Sequence, residues 1–337
     1  MNEEKLTVSL CVVAYNEEKF LPGLLADFRA QDYPADRIEI VLIDSMSEDG
    51  TVSVMKQFAR SETGFRNIQV LSNPKKSQAA GWNTAIDHYT SDVLIRIDAH
   101  ASVPADFVSE NVRLLESGEA VTGGPRPCKI QDPTPWKETL LLAEESMFGS
   151  SIASYRRDTG EEKKYVSSLF HGAYRREVFE KAGRFNERLG RTEDNEMHQR
   201  IREAGYRICF SPRIHSWQYA RNTLGRMMKQ KYGNGYWVAL TLKVCPKCLS
   251  VFHFVPLAFV LAILVTSVLA CFGIFWPLIA LWAAYGAAAV LMSALAVRGQ
   301  KKHPVQLLLP VIFLLLHISY GAGSLAGLMM LPFWKSR

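Results

Sequence analysis

The stretch Val93-Leu-Ile-Arg-Ile-Asp-Ala-His-Ala101 determines how the rest of the sequence is interpreted. Residues with strand character, Val93 to Ile97, run directly into Asp98, and His100 follows two positions later. Residues two apart in a strand lie on the same side, so Asp98 and His100 can face one ligand. A carboxylate oxygen and an imidazole nitrogen together suit a divalent cation such as Mn²⁺. The alternative is a strand that ends in a polar turn, with a solvated aspartate and an unrelated histidine.

Charged residues are distributed unevenly along the chain of 337 residues. All 33 acidic residues, and all but five of the 39 basic ones, precede Val251. The first part is therefore nearly neutral, as in an ordinary soluble domain. The formal charge of +6 comes mostly from the apolar C-terminal part, so it gives no argument for nucleic-acid binding.

Apolar runs alternate with helix-like segments in the first part of the chain. The predicted strands are 7–14, 38–43, 68–71 and 93–97. Such alternation with short connections predicts an α/β fold with a mostly parallel sheet. Open sheets of this kind bind ligands beyond the carboxyl ends of their strands. Polar or charged residues follow these ends closely: Tyr15, Glu17, Asp44, Lys75, Lys76, Asp98 and His100.

These motifs resemble those of the family 2 glycosyltransferases, which have the GT-A fold. The resemblance rests on Ala14-Tyr-Asn-Glu-Glu18, on Ile43-Asp-Ser-Met-Ser-Glu-Asp-Gly-Thr51 and on the Asp-x-His stretch. It extends to about Trp237. The metal motif of the family is commonly Asp-x-Asp, whereas this chain has Asp98-Ala-His100. The chain is similar to bacterial exopolysaccharide glucosyltransferases of the succinoglycan type, which also carry a hydrophobic tail.

The resemblance also implies roles for individual residues. In Arg191-Thr-Glu-Asp194 the second acid matches the general base of the family, and the first turn of a helix favours its charged form. The alternative is that Glu193 or Asp194 merely caps the helix. His215 matches in position a third metal ligand of related enzymes, next to the Asp-x-His pair. The residues expected to bind the nucleotide sugar are Ala14, Tyr15, Glu17, Asp44, Lys76, Asp98, Arg221 and Gln230.

Three further segments allow two interpretations each. The amphipathic segment 136–148 either packs on the sheet or lies against lipid headgroups. The basic stretch 221–231 is either a solvated helix face or a lid that neutralises the diphosphate of the donor. The pair Cys245-Pro-Lys-Cys248 is interpreted as two reduced thiols near the membrane rather than as a zinc site.

Apolar segments long enough to span a membrane occur at 251–272, 276–297 and 305–331. We therefore divide the chain into a GT-A domain, residues 1–245, and a membrane domain, residues 246–337. The positive-inside rule places the basic loop 298–303 in the cytoplasm, on the same side as the catalytic domain if the first two segments form a hairpin. We expect a multi-pass protein of the inner membrane with this orientation. Pro310 and several glycines leave open a third segment that is kinked or re-entrant.

Taken with the resemblance, the sequence predicts an inverting glycosyltransferase of exopolysaccharide or cell-surface glycan synthesis. It is expected to transfer a hexose, namely glucose, from a UDP-sugar to a polyprenyl-linked saccharide at the membrane. Mn²⁺ or Mg²⁺ would offset the charge of the leaving diphosphate.

The alternative is a non-catalytic nucleotide-sugar-binding subunit of a polysaccharide assembly complex, against which Glu193 and Asp194 argue. A sugar nucleotidyltransferase would have no reason for the apolar segments. A processive synthase would carry Gln-x-x-Arg-Trp, where this chain has Gln230-Lys-Tyr-Gly.

Overall fold

The structure is a computed structural model, and the residues that it describes are 5–149, 163–220 and 223–334. The chain forms two compact units. The first comprises Met1–Pro127 and Ser154–Tyr219, and the second comprises Cys128–Ala153 and Ala220–Arg337. The domain boundary that the sequence suggests at residue 245 stays a prediction.

Strands and helices follow one another with short connections. In chain order, the strands are β1 (Val8–Ala14), β2 (Ile38–Asp44), β3 (Asn67–Ser72), β4 (Val93–Asp98), β5 (Ala101–Ser102), β6 (Val121–Gly123), β7 (Cys128–Lys129), β8 (Lys164–Val166), β9 (Ala173–Arg175), β10 (Ile208–Phe210) and β11 (Trp217–Tyr219). The helices are α1 (Leu21–Arg29), α2 (Thr51–Ser61), α3 (Gln78–His88), α4 (Phe107–Glu116), α5 (Pro135–Glu145), α6 (Arg176–Ala182), α7 (Glu193–Glu203), α8 (Leu224–Thr241), α9 (Val255–Cys271), α10 (Trp276–Ala296) and α11 (Leu309–Met330). Elements β7, α5 and α8 to α11 belong to the second unit, and the others belong to the first.

The main sheet of the first unit has the strand order β3-β2-β1-β4-β9-β6-β10-β8. Strands β1 to β4 are mutually parallel, because helices connect them and such crossovers return the chain in the same direction. Strand β9 lies antiparallel between β4 and β6, and β8 is antiparallel to β10. Strand β5 pairs separately with β11. The predicted α/β fold with a mostly parallel sheet is confirmed, while the antiparallel insertion of β9 was not foreseen.

The carboxyl ends of β1, β2 and β4 lie side by side. Ala14 is opposite Asp44 in the parallel register, and Val13 is opposite Asp98. Alternate residues of these strands enter two separate hydrophobic clusters, one on each face of the sheet. Burial on both faces explains why the strands read as nearly continuous apolar runs. Asp44 and Asp98 lie at the carboxyl edge, where β2 and β4 end.

The second unit is built around α11, which packs along α8 and α9. At Gly235 of α8 and Gly323 of α11, an added Cβ would collide with the backbone carbonyl oxygens of Tyr320 and Tyr232. Glycine at these positions therefore allows the two helices to approach closely. Helix α5 places Leu140 in a buried cluster with side chains of α8 and α11. The apolar face of this amphipathic helix is thus covered by helices of its own unit.

Within the described part of the chain, the helices long and apolar enough to cross a membrane are Val251–Cys271, Trp276–Ala296 and Pro304–Met330. The three predicted apolar segments therefore form helices. Helix α11 runs from Leu309 to Met330 without interruption. Pro310 lies in its first turn, where proline removes no helical hydrogen bond, so this residue does not kink the helix.

Candidate active site

Asp98 lies at the end of β4 with only 7% of its surface exposed. Its Oδ2 lies 3.3 Å from His171 Nε2 and 3.4 Å from Gln218 Nε2. Arg126 Nη1 lies 3.7 Å from the same oxygen. Burial alone would raise the pKa of Asp98, but His171 and Arg126 hold this pKa well below its ordinary value. Asp98 is therefore a buried carboxylate that is ionised at neutral pH.

His171 reaches Asp98 because β9, which follows it, pairs antiparallel with β4. Its Nδ1 lies 2.9 Å from Ser216 Oγ, and its backbone has a φ of +47°, which is uncommon for residues other than glycine. Burial lowers the pKa of His171 to about 4, although the carboxylate of Asp98 acts in the opposite direction. The ring is consequently neutral at neutral pH and contributes polarity rather than charge.

His100 lies in the turn that follows β4. Its Nδ1 lies 3.0 Å from Glu17 Oε1, and its Nε2 lies 2.7 Å from Gln218 Nε2. The Gln218 amide nitrogen therefore lies beside both Asp98 and His100, while its Oε1 accepts a hydrogen bond from Arg126. The two side chains of the Asp-x-His motif thus face one common point.

A divalent cation at this point would meet an ionised carboxylate oxygen and an imidazole nitrogen, donor types that Mn²⁺ accepts. The Gln218 amide nitrogen, a hydrogen-bond donor, now lies between these two acceptors and would have to give way to the cation. Asp98 and His100 therefore fit as two ligands. Among the residues that the structure describes, no group of three or more His, Cys, Asp and Glu side chains could hold a metal ion.

His215, the third metal ligand expected from the sequence, is exposed and is not brought to this pair. Its ring stacks with that of Trp217, with 6.4 Å between the ring centroids. The side chains of successive strand residues alternate in direction, so Gln218 points away from the side that Trp217 occupies. As a result Gln218, and not His215, is the residue of this segment that contacts Asp98 and His100.

The residues expected to bind the nucleoside follow β1 and β2. Asp44 is 6% exposed, and its carboxylate accepts hydrogen bonds from the backbone nitrogens of Met46 and Ser47, both at 3.1 Å. Tyr15 is 48% exposed, so its ring is free to stack on a ligand. Ala14 contributes its backbone oxygen, which accepts a hydrogen bond from Ser45 N at 2.8 Å. These groups make a polar rim at the carboxyl edge of the sheet.

The remaining residues expected at the donor are less closely grouped. Glu17 contacts His100, as described above. Lys76 is exposed and has a φ of +57°, and its neighbour Lys75 pairs with Glu187 at 2.6 Å. Gln230 lies on α8 in the second unit, and Arg221 lies outside the described residues.

Asp194 lies in the first turn of α7, whose N-cap residue is Thr192. Its Oδ1 accepts a hydrogen bond from Asn195 N at 2.9 Å, and its Oδ2 lies 3.9 Å from Arg96 Nη2. Burial, together with the charge of Asp194, raises the pKa of Glu193 to about 7, although Arg96 opposes this shift. The two neighbouring acids therefore differ. The guanidinium of Arg96 approaches Asp194, whereas burial favours the protonated form of Glu193.

Sequence reasoning did not identify Arg126, His171 or Gln218 as neighbours of Asp98. Arg126 is 3% exposed, and its guanidinium lies 4.0 Å from the centroid of the Phe170 ring. The sequence marks only Arg96, the arginine near Asp194, as a candidate site residue, because a charged residue in the middle of an apolar strand is unusual. The other three residues have no local pattern that sets them apart.

The sheet topology and the acidic groups at its carboxyl edge are those of an α/β glycosyltransferase of the GT-A type. The model of glycosyl transferase family 2 matches residues 9–183, and the chain belongs to this family.

The relatives support this assignment along most of the chain. The dolichyl N-acetyl-alpha-D-glucosaminyl phosphate 3-beta-D-2,3-diacetamido-2,3-dideoxy-beta-D-glucuronosyltransferase of Methanococcus voltae is 24% identical over 323 residues, covering 93% of this chain and 95% of that protein. The succinoglycan biosynthesis protein ExoA of Rhizobium meliloti (strain 1021) is 28% identical over 242 residues, covering 70% of this chain and 71% of that protein. The resemblance to succinoglycan-type enzymes is confirmed.

A solved structure has the same fold. The mannosyltransferase PcManGT from Pyrobaculum calidifontis, in complex with GDP-Man and Mn²⁺, aligns with a TM-score of 0.55 and 21% sequence identity. The alignment covers 99% of this chain and 89% of that chain. It supports the GT-A fold.

Proposed function

We propose that this family 2 enzyme is a metal-dependent, inverting glycosyltransferase. It moves a hexose from a UDP-sugar to a polyprenyl-linked saccharide at the membrane, in the synthesis of an exopolysaccharide or another cell-surface glycan. The observation that carries this proposal is that two carboxylates, Asp98 at the carboxyl end of β4 and Asp194 in the first turn of α7, both lie close enough to the buried Arg96 to interact with its charge.

The two carboxylates suit two different tasks. Asp98 is held ionised by its neighbours and faces a point shared with His100, which suits the donor diphosphate and its cation. Asp194 has one oxygen bonded within its own helix and the other near Arg96, with 8% of the residue exposed. As the base, Asp194 would accept the proton of the acceptor hydroxyl through a carboxylate oxygen.

The transfer is a single displacement. The acceptor hydroxyl oxygen forms a bond to the anomeric carbon while the bond from that carbon to the diphosphate oxygen breaks. Asp194 accepts the hydroxyl proton, and the nucleoside diphosphate leaves with the bonding electron pair. One base therefore suffices, no covalent enzyme intermediate forms, and the configuration at the anomeric carbon inverts.

Asp98 and His100 are the residues that would hold Mn²⁺ or Mg²⁺, and His215 is the predicted third ligand that would have to move to join them. The cation would supply positive charge to the leaving diphosphate. Tyr15, Glu17 and Asp44 would bind the nucleoside. Ala14, Lys76, Arg221 and Gln230 are the further residues we propose at the donor.

The lipid-linked acceptor is supported by the three apolar helices of the second unit and by the name of the Methanococcus voltae relative, which includes a dolichyl phosphate acceptor. The cation is supported by the Mn²⁺ of the solved mannosyltransferase complex. We propose a location in the cell inner membrane with the first unit in the cytoplasm, because nucleotide sugars are cytoplasmic and loop 298–303 is basic.

The test is transfer by the purified enzyme in detergent. It is incubated with a panel of radiolabelled nucleotide sugars and a polyprenyl-linked saccharide extract, and radioactivity is measured in the organic phase. Transfer from one UDP-hexose, with a product anomer opposite to that of the donor by NMR, is the expected result. Donor binding without transfer to any acceptor would favour the non-catalytic subunit, and a retained anomeric configuration would refute the single displacement.

A further inference from the structure

Arg96 occupies the middle of β4, between apolar residues on both sides, and is 1% exposed. Its backbone nitrogen donates to Gly172 O at 2.9 Å, so the strand itself is regular at this position. An arginine is almost never fully buried unless its charge is compensated. Successive side chains of β4 point to opposite faces of the sheet. Arg96, two positions before Asp98, therefore points to the same face as Asp98.

Aromatic faces hold the guanidinium in place. Its central carbon lies 5.1 Å from the ring centroid of Trp82 in α3 and 5.6 Å from that of Phe185. Within the described residues, its Nε and Nη1 have no hydrogen-bond acceptor. Buried donors without acceptors are rare in native proteins because they are unfavourable. A packing role alone would be better served by an apolar residue, so the charge of Arg96 has another use.

The charge of Arg96 acts on the acids of the active site. Its Nη2 lies 3.9 Å from Asp194 Oδ2. Asp98 and Glu193 are the other carboxyl groups close enough to interact with the guanidinium electrostatically, together with the hydroxyl of Tyr174. Asp194 is the acid that forms the ion pair, and Arg96 is covered by its neighbours, so the guanidinium cannot itself contact a substrate.

We propose that Arg96 is a positioning residue that fixes the carboxylate of Asp194 in the orientation needed for proton transfer. This inference rests on the proposed role of Asp194 as the base. Arg96 acts through Asp194, which lies between it and the acceptor hydroxyl. The separation of 3.9 Å allows a hydrogen bond to form after a small shift, as catalytic contacts often shorten when substrates bind.

Arginine suits this role better than lysine. A planar guanidinium can stack on Trp82 and Phe185 and present Nη2 in a fixed direction, whereas an ammonium group carries its charge on a flexible stem. Arg96→Lys should therefore position the Asp194 carboxylate in part, and Arg96→Met should not position it.

The experiment measures kcat and the donor KM for Arg96→Met and Arg96→Lys, each alone and combined with Asp194→Asn. We expect Arg96→Met to lower kcat by roughly 10- to 100-fold with the donor KM within about twofold, and Arg96→Lys to lower it less. In the Asp194→Asn background, either change should lower kcat by no more than about twofold, because the residue through which Arg96 acts is already inactive.

The matched control is Arg176→Met. Arg176 also stacks on an aromatic ring, that of Tyr89 at 4.3 Å, but its Nη2 donates to Ser91 O near the amino end of β4. Its replacement should leave kcat within about twofold. Thermal unfolding of every variant tests folding, and Arg96→Lys, which keeps the buried charge, carries the test alone if Arg96→Met does not fold.

Equal loss of kcat from the Arg96 changes in both backgrounds, or a loss expressed in the donor KM, would overturn the inference. The proposed function fails separately: Asp194→Asn would then turn over at a nearly normal rate, whatever the Arg96 variants do. If Asp194→Asn is inactive while Arg96→Met and Arg96→Lys are both fully active, only the inference about Arg96 is wrong.

Discussion

Replacing Asp194 by asparagine removes the proposed proton acceptor with little change of shape. The asparagine Oδ1 can still accept the hydrogen bond from Asn195 N, now 2.9 Å long, so the first turn of α7 should stay intact. Its amide would lie near Arg96 Nη2, where a carboxylate oxygen now lies at 3.9 Å. Arg96 therefore loses one compensating charge.

Glu193 should replace that charge. Its pKa is raised to about 7 by burial and by the negative charge of Asp194, so removal of this charge lets the pKa of Glu193 fall. An ionised Glu193 would then compensate Arg96. We accordingly expect the variant to fold, with the stability changed by about 1 kcal/mol and the melting temperature by roughly 2 to 4 °C.

Turnover should fall much more than stability. Loss of a general base lowers kcat by roughly 10² to 10⁴-fold, which corresponds to about 3 to 5 kcal/mol of transition-state stabilisation. The donor KM should change little because the base acts on the acceptor. The assay is transfer of radiolabelled sugar into the organic phase at saturating donor, with donor binding measured separately by titration calorimetry.

The control is Glu196→Gln, which removes another carboxylate from the same end of α7. Glu196 is paired with Arg200 at 2.7 Å, so its loss should affect stability rather than turnover. Turnover of Asp194→Asn near that of the wild type would refute the reasoning and make Glu193 the first candidate for the base. A loss of donor affinity would instead identify Asp194 as a donor ligand or a structural residue.

Further predictions concern the metal, the acid pair and the membrane orientation. Excess EDTA should abolish transfer and added Mn²⁺ should restore it, because Asp98 and His100 offer two donors to a cation; full activity under chelation would contradict this. The pKa of Glu193 is about 7 in the folded protein and ordinarily 4.5, so its protonated carboxyl group stabilises the folded state. This contribution is fully present below pH 4.5 and is lost as the pH rises through about 7. The melting temperature of the wild type should therefore fall relative to that of Glu193→Gln over this interval, and parallel curves would refute the shift. A cysteine introduced into loop 298–303, after replacement of the six native cysteines, should resist an impermeant thiol reagent on intact cells; ready labelling would reverse the proposed orientation.

The sequence by itself determined the mostly parallel sheet and the place of Asp44 and Asp98 at its carboxyl edge. Apolar runs of four to eight residues that alternate with amphipathic helical segments can form only a few folds. In the α/β fold with a parallel sheet, the carboxyl ends of the parallel strands lie on the same edge. Asp44 and Asp98 each end such a run, so their presence at that edge followed from local pattern. The three long apolar helices followed equally directly, because apolarity over about 20 residues is a property of composition.

Only the tertiary structure decided which side chains surround Asp98 and Asp194. His171 reaches Asp98 because β9 inserts antiparallel between β4 and β6, and Gln218 reaches it across 120 positions of sequence. The sequence suggested His215 for this place, whereas in the structure its exposed ring stacks with that of Trp217. Periodicity records which face of an element is buried, whereas the identity of the neighbour on that face depends on strand order and register. Strand order and register are set by the packing of the whole chain. The residues that contact Asp98 and Asp194 could therefore not be predicted from the sequence motifs in which these two acids occur.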